Sequence, residues 1–306
     1  MNEPALSGLA QSPADRLQPL LRAGNTNCRG CGMSVGLNML SRAIAARPVQ
    51  LVIPACCGIV TAGPYPYSNY GAPVVACTFA SSAAVATGLS RSARSNGEQT
   101  RVICWAGDGG TYDIGMATLS AAAERGEDIL YICYDNEIYG NTGGQRSSAT
   151  PLGASTTTTP SGKPTRKKDI LGIMAAHGVP YAATLSLAHP EDTLRKMQHA
   201  LALEGFRFLH ILAPCPTGWK SEPAAGIELV RLAVRSGLYP VYEILDGNEL
   251  RINVEPEISF EALLSYFESQ GRFKGSRDEI QAVRAEIELN WRWLRARAAL
   301  AAHGAG

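Results

Sequence analysis

Short apolar segments alternate with longer amphipathic segments through the first two thirds of this 306-residue chain. The apolar segments have the length of strands, and the amphipathic segments have helical spacing. Because helices separate the strands, neighbouring strands must run parallel, with the helices crossing over the faces of the sheet. We therefore predict an α/β fold with a doubly wound, mostly parallel sheet. The predicted strands are 50–53, 74–78, 101–106, 129–134, 181–185 and 208–212. The predicted helices are 34–47, 81–95, 112–125, 169–177 and 190–204.

The pattern changes near residue 240. The segment YPVYEILDGNELRINVEP has two alternating stretches around Asp246 and Gly247, which predicts a β-hairpin with its turn at that pair. Helical patterns follow it. We expect residues 1–240 to form one α/β domain. We expect residues 241–306 to form an extension that packs on this domain or on a partner subunit.

The charge of the chain is nearly balanced, with 28 basic and 27 acidic residues. This balance gives no electrostatic reason to expect a nucleic-acid or membrane-surface partner, and we interpret the basic residues of 163–168 as a solvated loop face. No apolar segment has transmembrane length. The N-terminus lacks the layout of a signal peptide. We therefore expect a cytoplasmic protein with reduced cysteines.

Two polar residues follow consecutive predicted strands. Asp108 lies between glycines in RVICWAGDGGTYDIG, where a strand ends and a helix begins, and Asn136 follows the next strand. Both side chains should therefore emerge at one edge of the sheet, where α/β proteins bind ligands. Glycines and a helix start favour a phosphate, and a carboxylate beside a phosphate is explained by a shared cation such as Mg²⁺. The alternative is a tight turn followed by a helix cap.

The residues around these positions resemble a known family. The spacing from GDG to the asparagine is similar to the signature of thiamine diphosphate enzymes. The stretch DNEIYGNTGGQRSSATP resembles the β subunit of the 2-oxoacid:ferredoxin oxidoreductases, specifically the pyruvate type. The resemblance implies a site for Mg²⁺ and thiamine diphosphate. Its implied residues are Asp108, Asn136 and the Ile138 carbonyl for Mg²⁺, Gly107, Gly109 and Gly110 for the diphosphate, and Asn141 and Thr142 near the thiazolium and substrate.

The eight cysteines divide into two groups. Cys77, Cys104 and Cys133 lie inside apolar strands, and we interpret them as small core residues. The others lie in the loop segments NCRGCG, PACCG and APCPTGW. Four loop cysteines suit either a zinc ion or an iron–sulfur cluster.

The family resemblance implies a [4Fe–4S] cluster beside the thiamine. Stepwise oxidation of a thiamine carbanion needs a nearby electron acceptor, which favours such a cluster over zinc. Cys57 is the alternative to Cys56 as a ligand. The five histidines show no metal spacing, and we expect them at the surface or in packing roles. The implied cluster ligands are Cys28, Cys31, Cys56 and Cys215.

The resemblance also implies an activity. It is the oxidative decarboxylation of a 2-oxoacid, with pyruvate giving acetyl-coenzyme A and CO₂, and with electrons passing to ferredoxin or another carrier. An α subunit with the pyrimidine-binding and substrate part, and γ and ferredoxin-like δ subunits, would complete the enzyme. Gly140 stands where many pyruvate enzymes are expected to have a bulkier residue. The alternatives are phenylglyoxylate, 2-oxoglutarate, a branched 2-oxoacid or oxalate as substrate, a non-redox thiamine lyase with structural zinc, and an electron-transfer subunit without thiamine.

Overall fold

The structure is a computed structural model that describes residues 19–45, 47–62, 68–274 and 277–303. The N-terminal residues in which we looked for a targeting signal lie outside these ranges. Within them, no helix is both long enough and apolar enough to cross a lipid bilayer.

Eight strands form one sheet in the order β2-β1-β3-β4-β6-β5-β7-β8. The pairings among the first six strands of this order are parallel, and β7 and β8 join antiparallel. The predicted doubly wound α/β fold is therefore confirmed. The strands are β1 (Val49–Pro54), β2 (Val74–Cys77), β3 (Arg101–Gly107), β4 (Ile129–Asp135), β5 (Tyr181–Leu185), β6 (Phe206–Leu212), β7 (Val241–Leu245) and β8 (Glu249–Val254).

Helices cover both faces of the sheet, and successive strand residues alternate between two hydrophobic clusters. Burial on both faces explains why the central strands are almost continuously apolar. Residues of α1 and α6 lie in one cluster, and residues of α3, α4, α5, α8, α9 and α10 lie in the other. The helices are α1 (Gly32–Ile44), α2 (Cys57–Val60), α3 (Ser82–Ser95), α4 (Met116–Glu124), α5 (Ile170–Ala175), α6 (Pro190–Ala202), α7 (Pro216–Trp219), α8 (Gly226–Arg235), α9 (Phe260–Glu268) and α10 (Arg277–His303).

Two local features differ from the sequence prediction. The helix predicted over 112–125 is divided into a π-helical turn, Gly109–Asp113, and α4. The turn begins directly after Asp108, so the helical backbone starts closer to this carboxylate than the periodicity indicated. The sequence analysis also missed α8.

The C-terminal hairpin continues the main sheet. β7 pairs antiparallel with β5, and both Asp246 and Gly247 have positive φ at the predicted turn. α9 and α10 contribute side chains to the hydrophobic cluster on one face of this sheet. The described part of the extension therefore packs on the α/β domain, while the boundary after residue 240 stays a prediction.

Candidate functional site

Three oxygen-bearing groups meet at the carboxyl ends of β3 and β4. Asp108 and Asn136 are both buried there, on neighbouring strands, as the sequence pattern predicted. One terminal atom of the Asn136 side-chain amide lies 2.7 Å from the Ile138 carbonyl oxygen and 2.9 Å from Asp108 Oδ1. The structure thus brings together the three groups expected to bind Mg²⁺.

The chemistry of these groups fits a divalent cation. If the terminal atom of Asn136 is nitrogen, it donates to the other two groups. In the orientation present, it is the amide oxygen, which accepts from the Ile138 N–H at 3.3 Å and faces two further oxygens. Which orientation the Asn136 amide adopts depends on whether a cation lies between it, the Ile138 carbonyl oxygen and the Asp108 carboxylate. A cation favours the second orientation, and carboxylate, amide and carbonyl oxygens are ligands that Mg²⁺ accepts.

The electrostatics of Asp108 point the same way. Burial and then the nearby Asp135 raise the pKa of the Asp108 carboxyl well above its usual value, while a hydrogen bond from Ser147 lowers it. A buried carboxylate of this kind needs a positive charge close by to remain ionised. Neither Ser147 nor Asp135 was predicted from the sequence as part of the site.

The predicted diphosphate-binding glycines lie around Asp108, and they differ in how closely neighbouring atoms would crowd a side chain at each position. A Cβ atom on Gly109 would lie 2.3 Å from the ring of Tyr139, so this position must be glycine for the ring to pack. A Cβ on Gly110 would meet Phe79 at 3.3 Å, which is tight. A Cβ on Gly107 would make only ordinary contacts, so crowding does not explain its lack of a side chain.

The long polar loop that follows Asn136 is tied down by its own hydroxyl and ammonium groups. The Asp113 carboxylate accepts hydrogen bonds from the Tyr139 hydroxyl at 2.9 Å and from the Ser148 backbone at 3.0 Å. Lys163 is only 2% exposed, and its Nζ donates to three carbonyl oxygens of the loop, the closest being that of Thr150 at 2.7 Å. The interpretation of residues 163–168 as a solvated face is therefore wrong for Lys163, because this ammonium replaces water as the donor to the loop.

Asn141 and Thr142 lie at the exposed rim of the site. The Asn141 side-chain oxygen accepts a hydrogen bond from Cys57 Sγ at 3.3 Å, and the Thr142 hydroxyl donates to Gln145 at 2.6 Å. Their predicted position near thiazolium and substrate stays a prediction. The contact of Asn141 joins this rim to the cysteine region.

The loop that carries Cys28 and Cys31 packs tightly against the segment that carries Cys215. A Cβ on Gly30, which has φ +73°, would lie 2.1 Å from the Pro223 carbonyl oxygen, and a Cβ on Gly32 would lie 2.5 Å from Pro214. The glycines in NCRGCG therefore permit this approach. All eight cysteines are free thiols, and Cys104 and Cys133 are buried in strands as predicted.

Cys56 and Cys57 have different surroundings. The Cys56 thiol donates to the Pro54 carbonyl oxygen at 2.9 Å. Burial, followed by the thiols of Cys215, Cys56, Cys31 and Cys28, raises the pKa of Cys57 to about 12. Thus Cys57 lies within electrostatic range of cysteines from both other loops.

The thiols of the three cysteine loops do not form a closed set of metal ligands. In the described ranges, no group of three or more His, Cys, Asp or Glu side chains is close enough together to hold a metal ion. The site formed by Asp108, Asn136 and Ile138, here called the oxygen site, is of another kind, because two of its three groups are an amide and a backbone carbonyl. The prediction of a metal cluster at Cys28, Cys31, Cys56 and Cys215 therefore stays a prediction.

The segment that follows Cys215 packs directly against the oxygen site. Trp219, in the short helix that follows Cys215, donates from Nε1 to the Asn136 carbonyl oxygen at 2.8 Å. A Cβ on Gly218 would lie 2.8 Å from the Ile138 side chain and 3.2 Å from Cys215 Sγ. The two regions are in direct contact across residues that are far apart in the sequence.

A network of buried charges lies behind the oxygen site. Lys167 Nζ lies 2.5 Å from Asp135 Oδ2 and 2.9 Å from Glu137 Oε1. The Asp135 carboxylate also contacts His210 Nε2 at 2.9 Å, and Arg272 lies 2.6 Å from Glu137 Oε2. Burial raises the pKa of Asp135, but Lys167 and His210 outweigh burial and lower it below its usual value. The sequence pattern did not indicate this network, and the prediction of a solvated face is also wrong for Lys167, because its ammonium group pairs with two buried carboxylates.

A cavity of about 430 Å³ adjoins the network. Its described lining includes Lys167, Glu137, His210 and residues of α10, and it does not include Asp108, Asn136 or a cysteine. The cavity is therefore separate from the oxygen site and from the thiols.

Comparisons with known proteins identify the family of the chain. Residues 57–211, half of the chain, match the family of the thiamine pyrophosphate enzyme C-terminal TPP binding domain. The ketoisovalerate oxidoreductase subunit VorB of Pyrococcus horikoshii is 41% identical over 286 residues, covering 89% of this chain and 91% of the relative. The pyruvate synthase subunit PorB of Methanothermobacter marburgensis is 42% identical over 271 residues, covering 87% and 93%.

A solved structure has the same fold. The 2-oxoglutarate:ferredoxin oxidoreductase of Magnetococcus marinus aligns with a TM-score of 0.58 at 24% identity, covering 71% of this chain and 80% of that chain. The family match spans both strand ends that carry Asp108 and Asn136. This chain therefore belongs to the thiamine pyrophosphate enzymes, among the β subunits of the 2-oxoacid:ferredoxin oxidoreductases.

Proposed function

We propose that this chain binds thiamine diphosphate through Mg²⁺ and a [4Fe–4S] cluster through its loop cysteines, within a complex that oxidatively decarboxylates a 2-oxoacid. The observation that carries the proposal is the contact between the oxygen site and the segment after Cys215, in which Trp219 Nε1 donates to the Asn136 carbonyl oxygen at 2.8 Å. Electron transfer between two cofactors needs them close together. This contact supports such an arrangement because it joins the turn after Cys215 to a proposed Mg²⁺ ligand.

In this proposal the chain mainly binds and orients the cofactors. Asp108, the Asn136 amide and the Ile138 carbonyl would hold Mg²⁺, with Gly107, Gly109 and Gly110 beside the diphosphate. When bound, thiamine diphosphate supplies an electron sink for decarboxylation, and an iron–sulfur cluster supplies a one-electron acceptor. The buried setting of Asp108 would strengthen its attraction to Mg²⁺, because little water competes there.

For the cluster we propose Cys28, Cys31 and Cys215 with Cys57 as the fourth ligand, in place of Cys56. The support is that Cys57 lies within electrostatic range of the thiols of both other loops, whereas the Cys56 thiol donates to the Pro54 carbonyl oxygen. The test is the iron and acid-labile sulfide content of Cys56→Ser and Cys57→Ser. Loss of iron in Cys57→Ser alone supports the assignment, and loss in Cys56→Ser alone restores the original prediction.

The reaction proposed for the complete complex balances without further reactants. A 2-oxoacid, coenzyme A and two oxidised one-electron carriers give an acyl-coenzyme A, CO₂, a proton and two reduced carriers. The carriers would be ferredoxin or a comparable protein. Both relatives are named as subunits, which supports partner subunits of the α, γ and δ kinds. We expect the isolated chain to have little or no turnover.

The substrate we propose is pyruvate, with a branched 2-oxoacid as the second candidate. The relatives are named for pyruvate and for ketoisovalerate. Gly140 keeps the branched substrate as a candidate, because it has no side chain where a Cβ would lie 3.7 Å from Cys57 Sγ and 4.0 Å from the Asn136 amide. A Gly140→Leu variant should therefore lose activity with ketoisovalerate more than with pyruvate.

The proposal is tested on the complex purified with its partner subunits. We expect thiamine diphosphate, magnesium, iron and sulfide in the preparation, and coenzyme A-dependent reduction of ferredoxin. Initial rates with pyruvate, ketoisovalerate, phenylglyoxylate and 2-oxoglutarate identify the substrate. Zinc in place of iron and sulfide, or a complex that does not bind thiamine diphosphate, would contradict the proposal.

A further inference from the structure

Glu137 has an unusual backbone conformation at the centre of the oxygen site. Its φ is +63°, in the left-handed region that side chains other than glycine rarely adopt. It lies between Asn136, whose amide lies 2.9 Å from Asp108 Oδ1, and Ile138, whose carbonyl oxygen lies 2.7 Å from the same amide atom. Strained residues of this kind persist only where surrounding contacts hold them, and they cluster at functional sites.

The left-handed conformation turns the chain directly after β4. With this turn, a terminal atom of the Asn136 amide lies 2.7 Å from the Ile138 carbonyl oxygen and 2.9 Å from Asp108 Oδ1. A relaxed, extended residue at position 137 would carry the chain onward and separate these two groups. The relative positions of two proposed Mg²⁺ ligands, the Asn136 amide and the Ile138 carbonyl, therefore depend on the conformation of Glu137.

The polar groups of Glu137 are held from several directions. Its carboxylate accepts from Lys167 at 2.9 Å and from Arg272 at 2.6 Å. Its carbonyl oxygen accepts from the Thr150 hydroxyl at 2.7 Å, and its N–H donates to Asp135 at 2.8 Å. These contacts fix both ends of the residue and its side chain.

Arg272 is itself held in place. It is 2% exposed, its guanidinium lies 4.3 Å from the ring centroid of Trp219, and its Nε donates to Gln270 at 2.9 Å. This arginine follows α9, in the C-terminal extension. The extension thus reaches the oxygen site through one buried ion pair.

We propose that Glu137 is a positioning residue for the Mg²⁺ site, held in its left-handed conformation by Lys167 and Arg272. The inference rests on the proposed function, and it assigns the C-terminal extension a part in cofactor binding. Glu137 acts through its neighbours, since its own carboxylate is occupied by the two basic side chains. The consequence is a Mg²⁺ affinity that depends on a residue that does not bind the ion.

The chain contains a matched control at the other end of β4. Glu127 is also 5% exposed and also pairs with two basic side chains, Arg91 and Arg125. Its neighbour Gly126 takes the left-handed conformation there, with φ +62°. Glu127 therefore shares the burial and pairing of Glu137 without its strain or its place beside the proposed ligands.

The test compares Glu137→Gln with Glu127→Gln in the complete complex. Calorimetry measures the Mg²⁺ dependence of thiamine diphosphate binding, and urea unfolding measures stability without either cofactor. Glu137→Gln should weaken the apparent Mg²⁺ affinity by roughly 10- to 100-fold, the range seen when groups behind metal ligands are changed. Glu127→Gln should leave this affinity within about twofold while lowering the urea midpoint.

A third variant separates strain from the ion pairs. Glu137→Gly relieves the backbone but loses the contacts that hold it, so its Mg²⁺ affinity should fall as in Glu137→Gln. Wild-type affinity in both Glu137 variants would overturn the inference and leave the proposed function intact. A wild-type complex that binds neither Mg²⁺ nor thiamine diphosphate would overturn both.

Discussion

Each end of β4 is flanked by a residue in the left-handed conformation, but the two residues are of different types. At the amino end, Gly126 takes the left-handed conformation, and the arginines beside Glu127 are 68% and 46% exposed. At the carboxyl end, Glu137 takes that conformation itself, and its partners Lys167 and Arg272 are 26% and 2% exposed. Glycine makes a turn without strain. A glutamate makes one that long-range contacts must hold, and that fixes the neighbouring oxygens in space.

The largest expected difference between the two ends concerns the paired arginines. Arg272→Met should lower the free energy of unfolding by about 3–5 kcal/mol, because it leaves the Glu137 carboxylate buried with one partner fewer. Arg91→Met should lower it less, because the Arg91 side chain is largely exposed to water and Arg125 still pairs with the Glu127 carboxylate. Urea unfolding of both variants measures this difference. Equal losses would mean that burial does not distinguish the two ends.

The next effect concerns Trp219, whose indole donates a hydrogen bond just after the carboxyl end of β4. Trp219→Phe removes the donor to the Asn136 carbonyl oxygen and should cost about 1–3 kcal/mol of unfolding free energy. Trp291→Phe is the control, since its Nε1 donates to the Gly237 carbonyl oxygen at the same 2.8 Å. Both should be destabilised similarly, but Trp219→Phe alone should weaken thiamine diphosphate binding. A weakening in both variants would argue against a local role for Trp219.

A smaller effect tests the turn at the amino end. Gly126→Ala should lower the free energy of unfolding by about 1–2 kcal/mol, because alanine pays the cost of the left-handed conformation. A Cβ at this position has no described neighbour within 4 Å, so crowding adds nothing. Gly126→Asn should lose less, since asparagine tolerates positive φ better. Thermal unfolding of the two variants checks the order, and a larger loss for asparagine would contradict it.

The smallest effect is a pH dependence at the carboxyl end. Because the pKa of Asp135 is lowered in the folded protein, the unfolded chain binds a proton first as the pH falls. The free energy of unfolding should therefore fall with pH, by about 0.3 kcal/mol for this group between pH 6 and pH 4. Asp135→Asn should remove this contribution, as measured by urea unfolding at both pH values. An unchanged pH dependence in Asp135→Asn would mean that Lys167 and His210 do not hold Asp135 ionised.

The sequence predicted features that depend on local pattern and strand order. The alternation of strands and helices led to the doubly wound sheet, and consecutive strand ends placed Asp108 and Asn136 together. The Asp-Gly pair predicted the hairpin turn. These inferences succeed because side-chain periodicity and the parallel crossover restrict where a strand end can lie.

Other features depend on contacts between distant parts of the chain. Lys167 reaches Glu137 from 30 positions away and Arg272 from 135 positions away, so neither pattern nor spacing indicated either pair. The proposed choice of Cys57 over the adjacent Cys56 likewise depends on how each thiol is placed relative to the other loops.

By itself, then, the sequence determined the sheet, the edge that carries the site and the kinds of ligand available there. Tertiary structure alone decided which buried charges stand behind the ligands and how the C-terminal extension reaches them. The physical reason is that local pattern sets the direction of a strand and its side chains, whereas a desolvated ion pair exists only after distant segments have packed together.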